Sequence, residues 1–357
     1  MAINVTKPSV NLREKLNELE TNKGLKGNEI LQAETAQEVR SLIGAGRKNL
    51  IINGGFDVWQ RGTSQAAAGM GSADRWSGNA LTAMSKQYDN TIGNILRCTT
   101  EGNSNQHLLR TDVELYEAGS TYPFIVGKQY TVSFKAKSSV TMSIDCRYRV
   151  GSQGSGAVFF TSASIGGNGI WEDYSFTFTV PANSDAARNC MQLYIRQDSD
   201  TLVVDIDIAQ VQLELGSVAT DFEHRSFGEE LALCQRYCVA WQSNGNPLGT
   251  GGAISTSGAR SALGFGNAHN TSNPVTWLEL PVVLRNAPTL TVSAVGDFQF
   301  DRGWAGLATY TNMSIQALRS SYKTIALIGS TTGLNNGDAG VLDFNKTTAY
   351  LILDAEL

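Results

Sequence analysis

The residues able to do covalent chemistry are few, and their spacing does not assemble a reaction. The three histidines, His107, His224 and His269, show no motif-level pairing with Ser or Cys, the arrangement that activates a nucleophile. No G-x-S-x-G elbow occurs, so no strained strand-to-helix serine is presented. Neither G-x-x-x-x-G-K-[ST] nor a helix-opening G-x-G-x-x-G is present to cradle phosphate. The five cysteines, Cys98, Cys146, Cys190, Cys234 and Cys238, are odd in number and contain no C-x-x-C. They read as small buried hydrophobes. His224 with Cys234 and Cys238 is the one cluster resembling a metal set, and it lacks the fourth ligand that zinc takes. Two distant carboxylates could still converge in the fold for glycan cleavage. The expectation is a protein without catalysis and without a cofactor.

Recognition chemistry is better supplied. Aromatic rings on a wet surface stack on sugars or anchor protein contacts. With Met191, Leu193 and Ile195 pointing one way, Tyr194 and Arg196 are expected on the other, solvent-facing side. Trp171 follows Gly169 at a turn. For these the alternatives are glycan stacking and subunit contact. Trp277, Trp304, Tyr310 and Tyr322 are further candidate anchors towards the C-terminus, with core burial the alternative for at least two of them. Phe56, Trp59 and Trp76 are assigned to the core.

The elements that must position these residues are mostly short strands. Tyr130, Val132, Phe134 and Ala136 alternate with polar residues, as do Met142, Ile144, Cys146 and Tyr148, and Tyr174, Phe176, Phe178 and Val180. This period of two predicts strands with one wet face. Gly127-Lys128, Gly166-Gly167-Asn168-Gly169 and Pro181 punctuate them. Leu202 to Leu215 reads as a long closing strand. Beyond a Gly- and Ser-rich stretch from Asn244 to Asn270, which holds Ala253-Ile254 and Leu263-Gly-Phe265, strands are expected over Val275–Leu284, Leu290–Val295, Phe298–Phe300, Met313–Leu318, Ile325–Ile328 and Ala349–Ala355. Apolar residues on both sides of the last of these suggest subunit contacts.

Residues 1–47 differ in kind. They hold no Trp, Tyr or Phe, and two capped amphipathic helices are predicted, one carrying Leu12, Leu16 and Leu19 and the other Val39, Leu42 and Ile43. Helices this short need a partner surface, so these six residues are candidate docking contacts. Lys48 to Gly62, KNLIINGGFDVWQRG, marks the change and is expected to hold the first sandwich strand. Ser226-Phe-Gly-Glu229 opens a helix continuing through Tyr237 and Cys238. The fold expected is mainly β: a helical attachment segment over 1–47, a jelly-roll-like sandwich over 48–225, a helical joint over 226–243 and a second antiparallel sandwich over 244–357.

Composition bounds the partners. Charged residues make up 17% of the 357, and the formal net charge is −5, without the basic stripe of a nucleic-acid binder. The N-terminus has no apolar h-region, so no signal peptide is expected. No window approaches ~18 consecutive apolar residues, so no membrane insertion is expected.

Three stretches carry a family resemblance: NLIINGGFDVWQRG, Ala73-Asp-Arg-Trp76, and VQLELGSVATDFEHRS over 211–226. Together they resemble the carbohydrate-binding-module-like jelly roll of tailed-bacteriophage tail fibre proteins, over most of residues 48–237. SFGEELALCQRY is similar to the joint that follows that jelly roll, with Cys238 where an aromatic often stands. LPVVLRNAPTLTV and the closing DAEL are similar to the distal domain of such fibres. The resemblance implies a galactose-binding-like sandwich, a homotrimer, and a place in the virion as a tail fibre or spike that recognises a host surface glycan or protein. A capsid head fibre or decoration, or a tail adaptor with a purely structural role, is the alternative. Some such jelly rolls hold a structural calcium; Asp205, Asp207 and Glu214 could supply carboxylates, a solvated acidic face being the other reading.

Overall fold

A computed structural model describes residues 48–66, 69–79, 81–100, 108–114, 126–149, 158–182, 190–197, 203–242, 262–321, 323–346 and 348–356. The expectations for Leu12, Leu16, Leu19, Val39, Leu42, Ile43, Ala253-Ile254 and Tyr322 fall outside these residues. For Arg196 and Trp304 the backbone alone is described.

The N-terminal sandwich is built from β1 (Ser64–Gln65), β2 (Trp76–Asn79), β3 (Leu81–Asp89), β4 (Gly93–Thr100), β5 (Leu108–Glu114), β6 (Gln129–Lys137), β7 (Met142–Arg149), β8 (Val158–Ile165), β9 (Glu172–Thr179), β10 (Cys190–Gln197) and β11 (Asp205–Leu215). A six-stranded sheet, β1-β3-β4-β11-β6-β9, faces a five-stranded one, β2-β5-β10-β7-β8. The period-two reading holds where one face is wet. Tyr130, Val132, Phe134 and Ala136 are all buried, and Phe134 stacks on Tyr174 of the neighbouring strand with ring centroids 5.5 Å apart, a cross-strand aromatic pair. Phe56, Trp59 and Trp76 are fully buried as expected.

The stretch 48–62 does not form the expected first strand. Leu50 N–H donates to Leu213 O at 2.8 Å, after which the chain turns through residues 51–55. Asn53 and Phe56 take left-handed φ values of 58° and 56°, which a strand does not contain. Asn53 tolerates this because its side chain replaces the ladder: Nδ2 donates to Val58 O and Asp74 O, and Oδ1 accepts from Val58 N–H. Gly54 is required by a close approach, since a Cβ there would lie 2.0 Å from Val211 O. The two ends of the sandwich meet at this turn. Glu223 accepts from Lys48 N–H (2.9 Å) and Asn49 N–H (2.8 Å), and Arg225 Nη1 donates to Ile51 O.

Helix α1 (Phe227–Gln235) opens on the expected capping box of Ser226 and Glu229. It stops earlier than the sequence suggested: Arg236 is the C-cap, and Cys238 begins β12 (Cys238–Gln242). The rest of the chain comprises β13 (Ala262–Ala268), β14 (Pro274–Glu279), β15 (Thr289–Val292), β16 (Phe298–Asp301), β17 (Leu307–Thr309), β18 (Asn312–Ile315), β19 (Thr324–Ser330), β20 (Ala339–Phe344) and β21 (Tyr350–Asp354). A seven-stranded sheet, β17-β16-β20-β13-β14-β19-β18, packs on a three-stranded one, β12-β21-β15. Phe298, Phe300, Leu342, Phe344, Leu351 and Leu353 fill the space between them. Three expected strands are shorter than predicted, ending at Glu279, Val292 and Ile315.

The two sandwiches are joined by buried charge. Arg61 reaches Asp74 (3.4 Å), Asp354 (3.1 Å) and Glu356 (3.2 Å). Arg75 pairs with the other oxygen of Glu356, donates to Asp112 O at 2.6 Å, and lies 3.6 Å over the Tyr237 ring. Arg285 pairs with Glu114, and Gln60 Nε2 donates to Cys238 O at 2.8 Å. Of the two apolar faces of the last strand, Ala349, Leu351 and Leu353 enter the core of the C-terminal sandwich, and Tyr350 and Ile352 are half-buried.

Candidate functional site

The outer face of the seven-stranded sheet exposes two large aromatic rings side by side. Phe265 on β13 pairs directly with Trp277 on β14, and they are 74% and 36% exposed. The register extends this pair into a row that takes one residue from each of five strands, Leu307, Asp301, Val341, Phe265 and Trp277; the next residue in register, Ala326, is buried. At a strand spacing of about 4.8 Å the row spans roughly 19 Å. Strand β13 lies flat against β14 because its alternate positions are glycine; a Cβ at Gly264 would meet Trp277 O at 2.3 Å, and one at Gly266 would meet Val275 O at 2.1 Å. Gly264 and Gly266 belong to the opposite face of the strand, and the same-face neighbour of Phe265 along β13 is the exposed Asn267.

One end of the row is a cleft of about 510 Å³ between Phe265, Val341 and the Asp301–Gly303 turn. That turn is fixed. Gly303 N–H donates to Asp301 Oδ1 (2.7 Å), Arg302 Nη1 donates to Gly333 O (2.9 Å), and it pairs with Asp338 (3.0 Å). The Asn335 backbone N–H and Arg302 hold the Asp338 carboxyl below its usual range. The arrangement combines an apolar platform with a rigid polar end wall, which suits stacking and hydrogen bonding rather than proton transfer.

Other predicted anchors lie elsewhere. Tyr310 is core: its hydroxyl lies 3.3 Å from Thr276 Oγ1, its ring backs on Gly329, and burial pushes its pKa up to about 12. Trp171 is half-buried at the turn before β9, and Trp304 lies in a short 3-10 turn after β16. Tyr194 is not on a wet face. It is 3% exposed, with the Arg147 guanidinium 3.7 Å over its ring and its hydroxyl donating to Gln192 Oε1 at 2.9 Å. Gln192 Nε2 in turn donates to Asp112 Oδ1 at 2.6 Å; burial, opposed by Arg110 and Arg75, raises the Asp112 pKa. This second face of the five-stranded sheet is a packed polar layer.

Of the three carboxylates considered for calcium, Asp205 and Asp207 share Arg97 and Glu214 is engaged elsewhere. Arg97 grips Asp207 through Nε (2.6 Å) and Nη2 (2.8 Å), and Thr99 donates to Asp205 at 2.6 Å. Glu214 accepts from Thr220 N–H at 2.8 Å. His224, Cys234 and Cys238 do not form a ligand set: among the described residues no group of three or more His, Cys, Asp or Glu is placed to hold a metal ion. No helix among them is long and apolar enough to cross a membrane.

Similarity to known proteins is confined to solved structures. One is the enzymatically active domain of bacteriophage CBA120 tailspike protein 4, at 15% identity and TM-score 0.33, covering 47% of this chain and 21% of that one. Another is a CBM4 structure, at 17% identity and TM-score 0.31, covering 46% and 98%. A third is TmCBM61 in complex with β-1,4-galactotriose, at 12% identity and TM-score 0.28, covering 47% and 99%. No protein-family model and no curated protein matches the chain.

Proposed function

We propose that the protein is a non-catalytic component of a phage virion, a trimeric tail fibre or spike whose C-terminal sheet meets the host cell surface. The observation that carries this reading is the exposed Phe265–Trp277 pair within a row crossing five strands. A soluble domain does not normally leave two adjacent large rings uncovered unless something binds there. The end motifs of the first sandwich, which resemble those of tail fibre jelly rolls, support the virion context. Leu12, Leu16, Leu19, Val39, Leu42 and Ile43 would dock the chain on the particle. Three copies of one modest site would gain their strength from avidity.

A purely structural role, as a head fibre or a tail adaptor, is favoured by one observation: Tyr194 and Tyr310 serve packing and not a surface. Sedimentation and cell binding separate the two. The first reading expects a trimer that blocks adsorption of the parent phage, and loss of that block in Phe265→Ser/Trp277→Ser. A double variant that blocks adsorption as well as the unmodified chain would overturn it. A trimer lost in the double variant would make the row a subunit contact and favour the structural role.

A further inference from the structure

We propose that the buried joint between the two sandwiches is a proton-operated latch, shut while Asp74 is neutral and loosened when it ionises. The centre of the contact is unbalanced in charge. Arg61 and Arg75 stand there against three carboxylates, Asp74, Asp354 and Glu356. Glu356 engages both guanidinium groups, and Arg61 lies nearer to Asp354 (3.1 Å) than to Asp74 (3.4 Å). Asp74 is fully buried, so it is the acid that this centre leaves short of positive charge.

The groups around that centre do not supply the missing cation. Arg285 is paired with Glu114. Arg110 lies beside Asp112, whose Oδ1 accepts from Gln192 Nε2. Arg236 faces the Tyr237 ring at 5.9 Å. Cys234 and Cys238 also sit close to Asp74; burial raises both thiols, so they stay neutral. Burial likewise pushes Tyr237 up to about 12. The described histidines are engaged elsewhere, His224 against Phe222 and His269 on Asn273.

The contact is also incompletely bonded. Asp74 accepts from Gln60 Nε2 at 2.5 Å and from Gln60 N–H at 3.2 Å. Gln60 Oε1, Arg61 Nε and Ser72 Oγ, however, are buried without a hydrogen-bond partner. Admitting water would satisfy these atoms and solvate an ionised Asp74 at the same time. Burial pushes the Asp74 carboxyl up to about 6, with Arg61 and Gln60 opposing it and Glu356 adding to it. In an opened joint the carboxyl returns to its ordinary value of about 3.9. Proton binding therefore favours the closed joint. The advantage is whole below about pH 4, is lost as pH rises through about 6, and is flat above. Two pH units correspond to a closed-to-open ratio about a hundredfold higher at the acid end. The latch opens with both sandwiches folded, and it does not depend on what the Phe265 row binds.

Cys238 reports the opening in the unmodified full chain. It is buried at the joint, whereas Cys98 and Cys146 are buried in the core of the first sandwich. Modification by dithiodipyridine is followed site by site by mass spectrometry, with each rate divided by that of free glutathione at the same pH. Cys238 is expected to react faster than Cys98 and Cys146, because it needs only the joint to open. Its normalised rate should rise by more than tenfold between about pH 4.5 and about pH 7.5, and Asp74→Asn should abolish that rise. A Cys238 rate that is flat with pH, or one that matches Cys98 and Cys146, overturns the proposal. So does a rise that persists in Asp74→Asn. The first two results are read on the wild type, and they decide the matter whether or not the variant folds.

Discussion

Arg75 reaches Glu356 across 281 positions of sequence, and the pair is buried where the two sandwiches meet. Arg61 takes the other carboxylate oxygen of Glu356, so one side chain holds two guanidinium groups. Removing one partner of a buried ion pair costs about 3–5 kcal/mol, because the remaining charge stays desolvated. Glu356→Ala should therefore lower the thermal midpoint sharply, whereas Lys323→Ala, an exposed position, should leave it in place. Equal midpoints for the two variants would remove the joint from any account of stability.

The same joint makes stability depend on pH. Burial pushes the Asp74 carboxyl from 3.8 up to about 6, with Arg61 and the Gln60 amide acting against it. The folded protein thus holds this proton more tightly than the unfolded chain, and ionisation works against folding. The favourable contribution is whole below about pH 4, is lost as pH rises to about 6, and is then flat. Over that window the wild type should lose on the order of 3 kcal/mol relative to Asp74→Asn, at about 1.4 kcal/mol per tenfold change. Glu223 acts in the opposite sense: Lys48 and Asn49 N–H groups and Arg225 outweigh burial and hold it below 4.5, so its contribution fades as pH falls. Urea titrations of both proteins at several pH values give the difference directly, and parallel curves would count against the assignment.

Backbone crowding gives a third prediction. Gly54→Ala would push a methyl against Val211 O, whereas Gly296 has open space around it. Overpacking of this kind costs about 1–3 kcal/mol or more. Gly54→Ala should show a depressed midpoint and poor soluble yield, with Gly296→Ala close to wild type in both.

Tyr194 offers a control on the site assignment. Tyr194→Phe removes one buried hydrogen bond, worth about 1 kcal/mol, and should leave cell binding unchanged. A loss of binding at constant stability would return this face of the first sandwich to consideration as a ligand surface.

Much of the fold was legible because alternation reports a wet face. The strands holding Tyr130–Ala136 and Tyr174–Phe178 were readable for that reason. Tyr194 misled for the complementary reason: period two separates the two sides of a strand but does not say whether Arg147 will cover the second one. The NGGF turn read as a strand because its apolar neighbours satisfy strand composition, while the left-handed φ of Asn53 depends on partners at Val58 and Asp74. Trp277 is a candidate from its residue type and its ring is exposed, whereas its cross-strand neighbour Phe265 lies inside a glycine-rich stretch. The available signal was the alternation of Gly264 and Gly266 with Phe265, which puts the glycines on one face of the strand and the ring on the other.

The long sequence separation of the joint has a kinetic consequence. Arg61 and Arg75 find Asp354 and Glu356 only after both sandwiches have brought their ends together, and contacts this distant in sequence form late. We therefore predict that joint closure is a late step of folding, with the charges it buries hydrated until then; protection of these residues at the earliest time of pulsed hydrogen exchange would count against it. A chain stalled before it would hold two sandwiches whose relative direction is not yet set, with the Phe265 row not yet oriented against the N-terminal one.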